Sequence, residues 1–265
     1  MVDFNPRRYS MSIEKGNKIN QLLQQGVKGG LYFSSWLKEN GYSDQLLKQY
    51  KLSGWFSSLA NGVSYRTGDS INSFAAFACY NKQVGKSFYI GAHSALELFG
   101  FNHYVPMGKP LLMIGHSSKE KISAWMKLDI FEHSLKFFST EMFLQPQTTQ
   151  IKVADVEITA SVPEQAFLEC LGLAPMQYSY MDLFYIMEQL TSLRPEIVQA
   201  LLENTTNIKV KRLFLYMAKK AEHYWFKELN LSKIELGTGK QQLTQKGVFV
   251  SEFKITIPQE LFEYE

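Results

Sequence analysis

His93 and Glu97 stand four positions apart, a spacing that can set two metal ligands on one helical face. No third ligand has a matching spacing, and Glu97 has a competing use. Ser94-Ala95-Leu96-Glu97 matches the capping box, in which the Ser and Glu side chains each satisfy an orphan helix N–H. His103, His116, His133 and His223 are scattered without a carboxylate or nucleophile pattern and read as surface or packing residues. Gly237-Thr238-Gly239-Lys240 has the composition of a phosphate-binding loop. Its spacing is too short, however, and Gln241 stands where the magnesium-binding hydroxyl belongs, so a tight turn is expected. No Gly-x-Ser-x-Gly occurs. Cys79 and Cys170, 91 positions apart, make neither a disulfide framework nor a four-ligand zinc pattern. These residues predict no catalytic centre, no metal site and no cofactor.

A different chemistry is written near the N-terminus. On a helical wheel of the segment Asp44–Leu52, Leu46, Leu47 and Tyr50 share one face, while Gln45 and Lys48 point the other way with Asp44 and Gln49 at the margins. Gln pairs with the adenine edge, and Lys reaches guanine or a phosphate. A recognition helix in the major groove needs this layout, although an ordinary solvated face shares it. Ser43 caps the helix. Downstream, Asn61, Tyr65 and Arg66, with Ser57 and Ser58, are phosphate-contacting types on a candidate wing. The expected DNA-binding set is therefore Ser43, Gln45, Lys48, Gln49, Asn61, Tyr65 and Arg66. A winged helix used only for protein contacts is the competing reading.

The elements that must position these residues follow from periodicity. Residues 1–15 are polar and aperiodic, a basic arm. Ile19, Leu22, Leu23 and Val27 fall at helical spacing, closed by Gly29-Gly30. Ser34 or Ser35 can cap a second helix that buries Trp36 and Leu37. Ser43 starts the third, and Ser53-Gly54 ends it. Trp55–Ala60 and Val63–Thr67 are β-compatible runs joined by Asn61-Gly62, which predicts a type I′ hairpin. Three short helices and a hairpin describe a winged helix-turn-helix, with its core at 16–67. A helix over Ser70–Asn81 leads to a border at Gln83-Val84-Gly85, giving domains 1–86 and 87–265. Beyond it, Phe88–Ile90, Leu111–Ile114, Lys152–Val156 and Phe253–Ile257 read as strands. Ser161-Val162-Pro163-Glu164 repeats the capping box with Pro in the first turn. Ser179, Pro195–Leu202 and Val210–Lys220 mark further helices. The class is α+β: a winged helix followed by a larger mixed domain.

Charge separates the same two parts. Residues 1–86 hold 11 Lys+Arg against 5 Asp+Glu, an excess of six positive charges, whereas residues 87–265 hold 17 against 20. A basic front end suits a polyanion. With 45% hydrophobic and 20% charged residues, a wholly disordered chain is excluded. The longest apolar runs, Phe74–Cys79 and Leu213–Met217, are too short to span a bilayer. Arg7 and Arg8 precede no apolar core, so no signal peptide is expected, and the sparse cysteines fit a reducing cytoplasm.

Several segments, taken in order, resemble one family. Ser53-Gly54-Trp55 and Gly62-Val63-Ser64-Tyr65 match the wing of its N-terminal domain. Tyr89-Ile90-Gly91 with Ser94-Ala95-Leu96-Glu97-Leu98-x-Gly100 matches the start of its second domain. Ser161–Glu169 is similar to its Pro-Glu-Arg-Ala…Glu segment, with Gln165 replacing the usual Arg. Val210–Tyr216, Trp225, Leu236–Lys240 and Phe253-Lys254-Ile255-Thr256-Ile257-Pro258 complete the set. The family is AbiEi, antitoxins of type IV abortive-infection toxin–antitoxin systems, and the resemblance covers roughly residues 16–258. It implies an N-terminal domain that binds inverted repeats in its own promoter and represses the operon. It also implies a C-terminal domain that antagonises a nucleotidyltransferase-like toxin without needing a stable complex. Lys211 and Arg212, matched to the family motif, are the expected toxin-antagonism surface, with solvation of the helix flank as the plainer alternative. A stand-alone winged-helix regulator whose second domain senses a ligand or partner is the alternative function, and an enzyme that modifies the toxin is a third class.

Overall fold

A computed structural model describes residues 18–101, 108–139 and 141–264. The expected N-terminal arm and His103 lie outside the described residues. The chain divides into two compact units between Lys86 and Ser87.

In the first unit, helix α1 (18–25) ends before Gly26, where a Cβ would meet the Tyr32 hydroxyl. Strand β1 (Leu31–Phe33) runs directly into helix α2 (Ser34–Glu39). Neither Ser34 nor Ser35 caps that helix: the cap position is Phe33, so the two serines lie inside the first turn. Helix α3 (Asp44–Leu52) is capped by Ser43, whose hydroxyl accepts from Leu46 N at 3.3 Å. Strands β2 (Phe56–Ala60) and β3 (Val63–Arg66) form the hairpin, and β1 pairs antiparallel with β3 to give the order β1-β3-β2. The turn differs from the expected type I′. Gly62 has φ of 72° but Asn61 is not left-handed, and the register shifts between Ser58 and Ala60. That bulge supplies the twist a primed turn otherwise provides. Ile19, Leu22, Leu37, Leu46, Leu47, Tyr50 and Phe56 form the shared core. Helix α4 (Ser73–Val84) follows, capped by Asn72 and closed by left-handed Gly85. It runs three residues past the expected end. Gln83 lies in it, donating Nε2–H to Leu31 O at 2.9 Å while its Oε1 accepts from Phe33 N at 3.0 Å.

The second unit is built on a five-stranded mixed sheet ordered β6-β5-β4-β8-β7. Its strands are β4 (Tyr89–Ile90), β5 (Leu111–His116), β6 (Ser134–Ser139), β7 (Thr148–Val153) and β8 (Val156–Ser161). The single strand expected at Lys152–Val156 is instead the turn of the β7–β8 hairpin, with Ala154 at φ 52°. Helices α5 (Ala92–Leu98), α6 (Pro163–Leu173), α7 (Tyr180–Gln189), α8 (Pro195–Asn204) and α9 (Ile208–Lys220) accompany the sheet. α9 is buried on every side from Val210 to Ala218, packing Phe214 against Phe167 and Trp225. A small sheet ordered β10-β11-β9 (β9 Gln241–Gln242, β10 Gly247–Val250, β11 Ile255–Pro258) and helix α10 (Gln259–Glu263) complete the unit.

Both expected capping boxes are absent. Ser94 lies inside α5, where its hydroxyl donates to Leu111 O at 3.2 Å and accepts from Met113 N at 3.0 Å. Ser161 ends β8 and donates to Glu169 Oε1 at 2.9 Å. In both cases a buried partner outcompetes the local cap, 17 to 19 residues away for Ser94 and eight residues away for Ser161.

Candidate nucleic-acid interface

The apolar residues of α3 fix its orientation. Leu46, Leu47 and Tyr50 are buried, which turns Gln45, Lys48 and Gln49 to solvent together with the cap residue Ser43. Ser43 Oγ accepts from Leu46 N, so its own hydrogen remains free to donate outward. Lys38 of α2 pairs with Asp44 at 2.8 Å, with both side chains half or more exposed. Such a pair adds little stability, but it offsets the one acidic charge beside Gln45.

The hairpin places the second group. Asn61 is exposed at its tip, Tyr65 is half-buried on β3, and Arg66 is exposed at the strand end opposite Phe56. Ser57 Oγ lies 3.0 Å from Thr67 Oγ1 across the base. Two features were not read from the sequence. Leu52 and Trp55 are large apolar side chains left 81% and 44% exposed between α3 and the wing. β1 makes the wing the edge of a three-stranded sheet, so the hairpin is anchored and does not stand alone.

The second unit changes the reading of the basic pair. Lys211 and Arg212 are buried, at 3% and 1% exposure, so neither solvates a flank and neither presents its head group as an open surface. All five guanidinium N–H groups of Arg212 donate to backbone carbonyls: Nε and Nη2 to Leu236, Nη2 also to Gly237, and Nη1 to Gly239 and Lys254. Burial holds the Lys211 ammonium below the ordinary lysine value, opposed by the charges of Glu235 and Glu203.

Other residues singled out above find structural partners. His93 Nδ1 lies 2.6 Å from the Tyr178 hydroxyl, and burial pushes this imidazole down to about 4. Among the described residues no group of three potential ligands could hold a metal. No described helix is long and apolar enough to cross a membrane. Cys79 and Cys170 are buried free thiols.

Glu169, which ends the Ser161–Glu169 segment and to which the sequence assigned no role, is buried. Its Oε1 accepts from the Tyr89 hydroxyl (3.1 Å), Ser161 Oγ (2.9 Å) and Gln165 Nε2 (2.9 Å), and its Oε2 accepts from Ala92 N (2.7 Å). Desolvation raises this carboxyl to about 7 despite those four donors. One carboxylate thus ties β4, the strained start of α5 (Ala92 φ 49°), β8 and α6 together.

A three-helix core with a sheet-anchored wing, followed by a larger mixed α+β unit, defines a winged helix-turn-helix protein of the regulator class. Residues 15–107 match the family model described as "Transcriptional regulator, AbiEi antitoxin N-terminal domain", and residues 109–258 match "Transcriptional regulator, AbiEi antitoxin, Type IV TA system". The chain belongs to the AbiEi antitoxin family of transcriptional regulators. The whole fold is similar to the crystal structure of the RV2827C protein from Mycobacterium tuberculosis, with a TM-score of 0.59 at 12% identity over 91% of this chain and 89% of that one. No curated protein matches the chain in sequence. The two family models meet near residue 108, past α5, whereas the compact units divide between Lys86 and Ser87.

Proposed function

We propose that this protein is a DNA-binding autorepressor and antitoxin that antagonises a nucleotidyltransferase-like toxin encoded beside it. The observation that carries the DNA half is the exposed Gln45, Lys48 and Gln49 on the capped helix α3, flanked by a wing bearing Asn61, Tyr65 and Arg66. Gln and Lys side chains in a major groove read base edges, while Arg66 and Ser43 reach phosphates. One winged helix covers a short site, so two copies on inverted repeats of its own promoter give firm repression. The antitoxin half rests on family membership. Because Lys211 and Arg212 are buried, neither head group serves as an open contact surface, and Arg212 instead holds the carbonyls of Leu236, Gly237, Gly239 and Lys254 in place.

The test pairs two measurements. Gel shifts with the protein's own promoter should show specific, salt-sensitive binding, and co-expression should rescue cells from the product of the adjacent gene. Specific binding without rescue points to a stand-alone regulator with a sensing domain. Rescue without specific binding removes the autorepressor.

A further inference from the structure

The Gly237-Thr238-Gly239-Lys240 segment is the sequence motif that the proposed function leaves unused. Its carbonyls are turned inward: those of Leu236, Gly237 and Gly239 all accept from the Arg212 guanidinium, at 2.8, 3.1 and 2.6 Å for the Nε, Nη2 and Nη1 contacts. In a trans peptide the C=O and the following N–H point in opposite directions. The N–H groups of Gly237, Thr238 and Lys240 therefore face away from Arg212, toward the exposed side of the loop. Among the described residues none of these three N–H groups has an acceptor. Gly237, at φ 66°, adopts the left-handed conformation that lets successive amides point to one side, as in anion-binding backbone concavities.

The charge around the loop has the matching sign. Arg212 is a buried cation whose partners are all carbonyl oxygens, so it carries a full positive charge behind the loop. Polarised by that charge, the peptide units present a more positive N–H end outward. Lys240 Nζ is held 4.9 Å from the ring centroid of Phe249, a contact that leaves the ammonium without a carboxylate among the described residues. Exposed Lys254 adjoins, since Gln241 N donates to Lys254 O at 2.9 Å. Of the acids nearby, Glu252 pairs with Lys219 at 2.5 Å, while exposed Glu235 acts on buried Lys211 through its charge alone. Space is open too, because a Cβ placed on Gly239 meets nothing within 4 Å.

We infer that this loop is an anion site for a phosphoryl group, held by the amides of Gly237, Thr238 and Lys240 and by the Lys240 ammonium, with Arg212 as the buried charge behind them. It lacks the length and the metal-binding hydroxyl of a nucleotide-hydrolysing loop, so its chemistry is binding and not phosphoryl transfer. The phosphate could come free or on a nucleotide, and the site is the same for both.

The test is an amide-resolved NMR titration of the isotope-labelled full chain, with inorganic phosphate in one arm and ATP without added metal in the other, at constant ionic strength. Saturable shifts concentrated at Gly237, Thr238 and Lys240 are expected. Tighter binding of ATP than of phosphate at these amides identifies a nucleotide site, and equal binding identifies a phosphate site. Lys240→Glu, an exposed substitution, should weaken binding about tenfold by removing a charge-assisted hydrogen bond, with an unchanged thermal melt. Lys152→Glu, on β7 of the large sheet, should leave it unaltered. Shifts that fail to saturate, that spread equally over Lys152 and other exposed lysines, or that persist unchanged in Lys240→Glu would overturn the site.

Discussion

Gln165 Nε2 donates to Glu169 Oε1 at 2.9 Å, one turn farther along α6, inside a core where, among the described residues, this carboxyl meets no cation. The groups facing Glu169 are the Tyr89 hydroxyl of β4, the Ala92 amide of α5, Ser161 of β8 and Gln165 itself, with Cys170 and Tyr178 as the further titratable neighbours. An Arg in place of Gln165, as in the family pattern, would supply the missing charge.

Stability therefore depends on pH with a definite sign. The folded carboxyl holds its proton up to about 7, while an ordinary Glu releases it near 4.5. Between those values the folded state binds more protons, so this group's contribution is full below about 4.5 and is lost as pH rises to about 7. The total is on the order of 3 kcal/mol. Denaturant melts across this range should show parent stability falling relative to Glu169→Gln, and a constant difference between the two would contradict the assignment.

On DNA, Gln45→Ala and Lys48→Ala should each weaken promoter binding by about 1–3 kcal/mol if they touch bases, with little effect on non-specific DNA. Arg66→Ala should weaken both and lower the salt slope by about one unit. Gel shifts over a salt series read all three. Unaltered affinity in folded variants removes α3 as the recognition helix.

The position of the domain border has a structural consequence. β4 lies between β5 and β8 in the sheet, and Tyr89 and Ala92 both donate to Glu169. A fragment 87–265 should fold, lose promoter binding and still protect cells from the toxin. A fragment 109–265, cut where the family models meet, lacks the central strand and should not melt cooperatively. Equal cooperativity of the two in circular dichroism would show that β4 and α5 are dispensable to this core.

Arg212→Met keeps the apolar stem and deletes five hydrogen bonds to carbonyls. A loss of about 2–4 kcal/mol is expected, softened because the exposed loop can turn its carbonyls to water. Lys in its place should recover only part, since a single ammonium cannot fork between Leu236, Gly239 and Lys254. Urea midpoints of the three proteins order these effects, and a Met variant as stable as the parent would make the clamp redundant.

What the sequence made legible was what short-range chemistry decides. Ser43, the periodic Leu46, Leu47 and Tyr50, and the Ser53-Gly54 stop mark α3 because cap, face and terminator all lie within a dozen residues. Asn61-Gly62 marked the hairpin for the same reason, although the bulge at Ser58 to Ala60, set by pairing, altered its turn. Strand β1 was hidden because its partner β3 lies thirty residues on. Ser94 and Ser161 looked like caps because Met113 and Glu169 cannot be foreseen from their neighbours. Arg212 looked like a solvated flank residue for the same reason: its carbonyl partners lie 24 to 42 residues away.

Gln83 lends its amide to the outer edge of β1, taking the carbonyl of Leu31 and the N–H of Phe33 that face away from β3. A side chain has filled the place where another molecule's strand would otherwise lie. A second copy of this protein cannot extend the sheet along that edge without first displacing Gln83. Any association of copies through this sheet would therefore have to use its other edge, β2, or side-chain contacts.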